Sequence, residues 1–392
     1  MKNFNFQAPT SIFFGEGQIN KLSRLLKEHG NNVLLTYGGG SIKKNGVYDA
    51  IYQELNNEFN VVELSGVEPN PRLDTVIKGA QLCRENNIDV ILAVGGGSTI
   101  DCAKAVAAAR FYDGNPWDFT ANSGLVKEAL PIVSILTIAA TGSEMNGGSV
   151  ITNLETKEKL SFGSRFVIPK ASILDPTYTF SVPPYQTMAG SADILSHLFE
   201  NYFNKTNDTM VQDGIAEGLM RTVYHYTPIV LKDPSNYEAR ANLMWASSLA
   251  LNGLTGSGKD GSWSCHGMEH ELSAYYDITH GIGLAIITPR WMAHVLSDET
   301  AGKFAEFGRR VFDLPKESSK IMAEKAIKLT YDSFKAWGIP MTLGEVGIDD
   351  SLLEEMAEQA VAHRPVGSVP FAPLAKEDVL TIFKASLEEM TF

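Results

Sequence analysis

The stretch DVILAVGGGSTIDCAKAVAAAR, residues 89–110, decides the fold class. After Asp89 it opens with a short apolar run, the signature of a strand buried on both faces. Three glycines follow, and then small residues at helical spacing. A strand that passes through a glycine turn directly into a helix predicts a parallel sheet, because parallel neighbours need a crossover between them. Working outward, NVLLTY (32–37), VVEL (61–64), PIVSIL (131–136) and ASILD (171–175) are runs of the same kind. Helix-like stretches lie at 17–29, 46–57 and 73–87. Residues 148–163 have two strand-like arms around a polar centre and predict a hairpin, and SIFFGEG (11–17) predicts an extra strand.

The texture changes after Pro183–Pro184. Apolar residues then recur at three- and four-residue spacing, in 210–231, 235–254, 319–336 and 376–388, with few β-branched runs between them. The expectation is an α/β domain over 1–184 and an all-α domain over 185–392. Neither internal repeats nor low-complexity tracts interrupt either part.

Composition bounds the function. A chain of 392 residues with 44% hydrophobic and 20% charged residues is an ordinary globular protein. A net charge of −13 argues against nucleic acid or an anionic membrane as partner. The three cysteines, Cys83, Cys102 and Cys265, form no disulfide framework and suit a reducing compartment. No signal peptide or membrane-length apolar run is evident, so the expected location is cytoplasmic.

Two glycine triplets carry the first chemical signal, Gly38-Gly39-Gly40-Ser41 and Gly95-Gly96-Gly97-Ser98. Free N–H groups at the start of a helix suit a pyrophosphate, and glycine lets the backbone approach it closely. Gly96, Gly97, Ser98 and Asp101 are therefore candidate nucleotide contacts, although a tight strand–helix turn uses the same glycines. No third glycine completes a G-x-G-x-x-G fingerprint. Around the first triplet, Ser41, Lys43 and Lys44 stand where an NAD enzyme usually places an acidic residue for the ribose 2′-OH, which leans towards NADPH over NADH. Thr137 and AATGSE (139–144) follow the strand at 131–136 and fit either a nicotinamide or an ordinary loop end.

The second signal is a set of histidines. Asp193 and His197 are four apart on a predicted helix and share a face, as do His266 and His270, and His280 follows. One carboxylate with two or three imidazoles makes a divalent-metal site with a position left for a substrate oxygen. Isolated i, i+4 histidine pairs also arise by chance, so the weight lies in the two groups occurring together. His29, His225, His294 and His363 have no such company.

GGGSTID (95–101), LTIAATGSE (136–144), LDP (174–176), the Asp193–His197 pair and CHGMEHELSAYYDITHG (265–281) together resemble the iron-containing, group III alcohol dehydrogenases. YGGGSIKKNGVYD (37–49), VEPNPR (67–72) and YEARANLMWASSLALNG (237–253) resemble their bacterial butanol dehydrogenase branch. The resemblance spans essentially the whole chain. It implies a Rossmann-like N-terminal domain with a helical C-terminal one, the dehydroquinate synthase-like fold. It implies a metal, Fe(II) or Zn(II), on Asp193, His197, His266 and His280, with His270 beside the substrate. It implies NAD or NADP phosphates at Gly96, Gly97 and Ser98, with Asn70, Thr137, Thr141 and Lys159 lining the cofactor site, and in NADPH-using relatives a 2′-phosphate at Gly38, Gly39 and Ser41. Two departures stand out: Ser273 replaces a glycine common in the family, and Thr279 replaces a proline before His280.

The expected activity is interconversion of short primary alcohols and their aldehydes, with His270 relaying the alcohol proton. Trp263, Phe162 and Tyr275 are candidate pocket residues, and the edge strand SIFFGEG suits a homodimer. Two alternatives are weighed. A lyase or cyclase of the dehydroquinate synthase type needs cationic residues for a phosphorylated acid near the metal, and 261–290 offers Arg290 alone. A non-catalytic nucleotide-binding protein has no need of a thiolate-free site with open coordination.

Overall fold

The structure is a computed structural model that describes residues 1–206 and 208–392. The chain forms two compact units.

The first unit holds residues 7–182 and 234–248. In chain order it contains β1 (Ser11–Phe14), α1 (Leu22–Lys27), β2 (Asn32–Tyr37), α2 (Ser41–Lys44), α3 (Val47–Leu55), β3 (Asn60–Ser65), α4 (Leu73–Glu85), β4 (Val90–Gly95), α5 (Gly97–Ala109), α6 (Asp118–Ala121), β5 (Ile132–Leu136), β6 (Gly148–Asn153), β7 (Glu158–Gly163) and β8 (Ala171–Leu174). Six strands make one parallel sheet in the order β1-β8-β5-β4-β2-β3, and β6 and β7 form the expected antiparallel hairpin. Alternation along the strands sends side chains to two cores. Val33, Leu35, Leu92 and Val94 pack with Leu26, Ile51 and Leu55, while Leu34, Ile91 and Ala93 pack with Ala103, Val106 and Ala107 of α5. Small residues all along α5 let it lie close against the sheet and bury nearly every side. The glycine turn after β4 is thereby held between a fully buried strand and a fully packed helix.

The second unit holds residues 1–6, 183–233 and 249–392. It contains α7 (Pro184–Tyr202) and α8 (Met210–Lys232). The next helix, α9 (Tyr237–Ala250), lies mostly in 234–248 and packs Met244 into the core on the α5 side of the sheet. The second unit resumes with α10 (Ser264–Tyr276), α11 (His280–Val295), α12 (Ala301–Val311), α13 (Ser319–Ala336), α14 (Leu353–His363) and α15 (Lys376–Ala385). Its core is aromatic: Phe203 stacks within 4.6 Å of Phe304 and meets Phe199, Phe307, Trp291 and Phe371. Among the described residues no helix is long and apolar enough to cross a membrane. All three cysteines are buried, unpaired thiols.

Candidate active site

Three elements bring the metal candidates together. Helix α7 starts at Pro184, where a missing N–H costs nothing, and presents Asp193 and His197 one turn apart. Helix α10 carries His266, Glu269 and His270 and ends at Asp277, whose left-handed φ of 53° turns the chain sharply. Helix α11 then begins at His280. At Gly281 an added Cβ would lie 2.0 Å from the Ala189 carbonyl oxygen, so the start of α11 rests on α7 one turn before Asp193.

The result is a convergence on a single carboxylate oxygen. Asp193 Oδ1 lies 3.5 Å from His197 Nδ1, 3.9 Å from His266 Nε2 and 3.8 Å from His280 Nε2. Neither His197 Nδ1 nor His266 Nε2 has a hydrogen-bond partner among the described residues, although both are buried. Burial, reinforced by the nearby His266, holds His197 well below its ordinary pKa and so keeps it neutral. Three imidazoles and a carboxylate, with no donor to His197 Nδ1 or His266 Nε2 among the described residues, fit a divalent cation.

Behind these residues stand two glutamates that sequence reasoning missed. Glu200 Oε1 lies 3.4 Å from His266 Nδ1 and accepts from the His266 backbone N–H at 3.0 Å. Its other oxygen accepts from Ser262 Oγ and the Ser264 N–H. Glu269 contacts His280 Nδ1 and accepts from Ser273 Oγ at 2.5 Å. Each glutamate occupies Nδ1 and leaves Nε2 directed at Asp193, which fixes tautomer and ring orientation. The serine that departs from the family pattern thus has work here, steadying the glutamate that orients His280. Glu200 follows His197 by three positions and Glu269 follows His266 by three, the one sequence signal that could have marked them.

His270 sits 5.6 Å from His280 between ring centroids. Arg364 Nη2 donates to His270 Nδ1 at 2.6 Å. A guanidinium only donates, so the neutral ring keeps its proton on Nε2. Trp263 lies 5.2 Å from the His266 ring, in keeping with a pocket residue. Phe162 and Tyr275 are employed elsewhere. Phe162 is buried against Phe119 in the sheet unit, where β7 points it inward, and Tyr275 donates to Glu355.

In the sheet unit the glycine turn gathers most of the cofactor candidates. Gly96 is the N-cap of α5, and no side chain caps that end. An added Cβ at Gly97 would fall 2.3 Å from Thr141 Oγ1, and the Thr137 N–H bonds the Gly95 carbonyl at 3.0 Å. Ser98 Oγ donates to the Pro69 carbonyl, which draws Asn70 to the same place. A Cβ on Gly38 would meet Thr99 Oγ1 at 4.0 Å, so the first triplet adjoins the second. Bare N–H groups in a glycine cradle suit a pyrophosphate. Lys159 is buried on β7 opposite Thr152.

Asp101 differs from its expected use. Its carboxylate accepts from Ser143 Oγ at 2.5 Å and from the Val150 N–H at 2.9 Å, because one turn into α5 its side chain faces β6. Beside it, fully buried Lys104 donates to Ser143 Oγ, Asn146 Oδ1 and the Gly148 carbonyl. Burial lowers the Lys104 pKa to about 8 and raises those of Asp101 and Glu144. These groups fasten the 143–148 turn to α5.

Comparison with known proteins places this geometry. Residues 9–176 match the iron-containing alcohol dehydrogenase model, and 187–387 match the C-terminal model of the same family. The chain belongs to the iron-containing alcohol dehydrogenase family. It is 54% identical to NADH-dependent butanol dehydrogenase A of Clostridium acetobutylicum, over 98% of this chain and all of that one. It is 39% identical to an NADPH-dependent aldehyde reductase of Escherichia coli, over 93% of this chain and 94% of that one. The crystal structure of NADH-dependent butanol dehydrogenase A from Thermotoga maritima superposes with a TM-score of 0.94 at 39% identity, covering 99% of both chains. The family's fold is the α/β sheet unit with a helical unit described above, and the chain is an alcohol dehydrogenase. The lyase and non-catalytic readings are not favoured by these relatives.

Proposed function

We propose that the chain interconverts short primary aldehydes and alcohols of butanol-like size, using NAD(P)(H) and a divalent metal, Fe(II) or Zn(II). The observation that carries this reading is the meeting of three imidazole nitrogens at Asp193 Oδ1, two of them backed by glutamates. Asp193, His197, His266 and His280 would hold the metal. Gly96, Gly97 and Ser98 would receive the pyrophosphate, with Asn70, Thr137, Thr141 and Lys159 around it and the adenosine ribose at Gly38, Gly39 and Ser41. Residues 1–184 would thus serve the cofactor and 185–392 the metal and substrate. When bound, the metal supplies Lewis acidity at a carbonyl oxygen and the nicotinamide supplies or takes the hydride.

The protein's own part is positional and protonic. Glu200 and Glu269 hold His266 and His280 in one tautomer, and buried Asp193 supplies the negative charge. His270, with Nδ1 accepting from Arg364, presents its Nε2–H as a hydrogen-bond donor to the substrate oxygen, and it relays a proton only when Arg364 releases Nδ1 so that the ring can pass between imidazolium and imidazole. Trp263 borders the substrate. Asp101 shapes the cofactor turn by anchoring β6 and does not touch the ligand.

The preference between NADH and NADPH is read from the turn after β2. Ser41, Lys43 and Lys44 favour NADPH by charge, but Lys43 is engaged by Glu63 and two tyrosine rings. The homodimer would form along β1, which is an edge strand of the sheet, and three reduced thiols suit the cytoplasm. The deciding experiment mixes aldehydes of increasing chain length with NADH or NADPH and enzyme loaded with Fe(II) or Zn(II), following reduced nicotinamide by absorbance. Stoichiometric oxidation of the cofactor with alcohol formation is expected. Absence of turnover with every aldehyde and metal would refute the reading, and His270→Ala with unchanged kcat across pH would remove the proton role.

A further inference from the structure

One polar cluster lies at the end of the sheet and takes no part in the reaction described. Glu63 on β3 pairs in register with Leu35 on β2, two residues before β2 runs out into the Gly38–Gly40 turn. Three phenols donate to its one carboxylate: Tyr37 at 2.5 Å, Tyr48 at 2.5 Å and Tyr52 at 2.7 Å. Tyr48 and Tyr52 are one turn apart on α3, so the arrangement ties β2, β3 and α3 together. Lys43, from the short helix after the glycine turn, closes it. Its Nζ lies 3.9 Å from Glu63 Oε2, 4.5 Å from the Tyr48 ring centroid and 5.2 Å from that of Tyr37.

Burial alone would push the Glu63 carboxyl up, but the three phenols and Lys43 outweigh it and hold the group below its ordinary range. Glu63 is therefore an anion at neutral pH. The ammonium of Lys43 is matched by that anion and two aromatic faces.

We propose that Glu63 is a specificity-determining residue for the coenzyme, which it exerts by holding Lys43 in the tyrosine cage and setting a negative charge beside the turn. The inference rests on the reading that the adenosine ribose lies at Gly38–Ser41. A 2′-phosphate at that turn would have to draw Lys43 out of its cage and would face the Glu63 carboxylate. A 2′-hydroxyl incurs neither cost. The chain accordingly selects NADH, although the sequence around the turn is cationic. Lys43, counted by charge as an attraction for the phosphate, is withdrawn by a residue twenty positions later in the sequence.

The test measures binding to the metal-loaded enzyme by calorimetry, with adenosine 5′-monophosphate and adenosine 2′,5′-bisphosphate as probes, alongside kcat/KM for NADH and NADPH. In the wild type the added phosphate should weaken binding or leave it unimproved. Glu63→Gln keeps the shape and removes the charge. It should tighten the bisphosphate about tenfold while moving the monophosphate by less than about twofold. Adding Lys43→Ala to Glu63→Gln should take back the part of the gain that comes from the released ammonium and leave only the smaller part that comes from the lost carboxylate charge. A Glu63→Gln enzyme with unaltered discrimination, or a wild type that prefers the bisphosphate, overturns the proposal. Enzyme that turns over NADH yet has Gly39→Trp and Ser41→Trp variants with unchanged affinity for both probes instead overturns the ribose placement, and the proposal with it.

Discussion

Asp101 and Glu144 in the sheet unit have carboxyls pushed up by burial, whereas Glu200 in the helical unit, equally enclosed, is held below its ordinary value. The difference lies in the company each keeps. Around Glu200, His266 and Ser262 together with two backbone N–H groups offset the burial. Around Asp101 the compensation comes first from Lys104, itself depressed towards neutrality by the same burial, and around Glu144 it comes first from the Ser248 hydroxyl, with Lys104 adding less. A carboxylate with several close donors can stay charged and orient an imidazole, while those with fewer donors beside a depressed ammonium serve to lock a turn. The glycine turn is shaped by what is missing from its side chains, and the histidine site by side chains fixed from behind.

Removing the lysine attacks this comparison most strongly. Lys104→Met leaves three acceptors without their donor and two buried acids without the nearby positive charge, and should lower unfolding free energy by about 3–5 kcal/mol in urea titrations. Because the folded Lys104 pKa is about 8 against 10.5 unfolded, the unfolded chain binds more protons between those values. Wild-type stability relative to the variant should therefore grow as pH rises from about 8 towards 10.5, and a gap that shrinks there would contradict the assignment.

Gly281→Ala comes next. With a Cβ only 2.0 Å from the Ala189 oxygen, α11 must shift off α7, at a cost of about 1–3 kcal/mol and with weaker metal retention. Gly39→Ala, which meets nothing within 4 Å, is the control and should stay within about 0.5 kcal/mol.

Glu269→Gln and Glu200→Gln probe the other side of the comparison. Each should reduce metal affinity about 10- to 100-fold in chelator competition while circular dichroism remains native. Equal affinity in both variants would mean that the glutamates do not orient the histidines.

The smallest effect belongs to Glu63. Its folded pKa lies below the ordinary 4.5, so its contribution is complete above that value and disappears as pH falls through the lower folded one. Being only partly buried and still screened by solvent, it should add only about 0.2–1 kcal/mol over Glu63→Gln near neutral pH, vanishing in acid.

Local pattern explains what could be read beforehand. Strands such as NVLLTY and the glycine turn after Val94 are written in consecutive residues, and Asp193–His197 is written in one helical turn. Contacts across long separations are not. Glu200 meets His266 from 66 residues away. Helical spacing shows that α9 has an apolar face but not that the face meets the sheet unit's core through Met244. Asp101 teaches the same, since nearness to a glycine turn along the chain does not say that its carboxylate faces Ser143 and Val150. The charge of Lys43 was likewise visible, and its partner Glu63 was not.

The buried thiols lend the molecule a built-in set of clocks. Cys83 and Cys102 belong to the sheet unit and Cys265 to the helical one, and burial raises all three thiol pKa values, Cys83 to about 12. A thiol-specific reagent should ignore them in the closed protein and modify each only when its surroundings open. Peptide-resolved labelling over time would then time the opening of each half separately in one tube of unaltered wild-type enzyme.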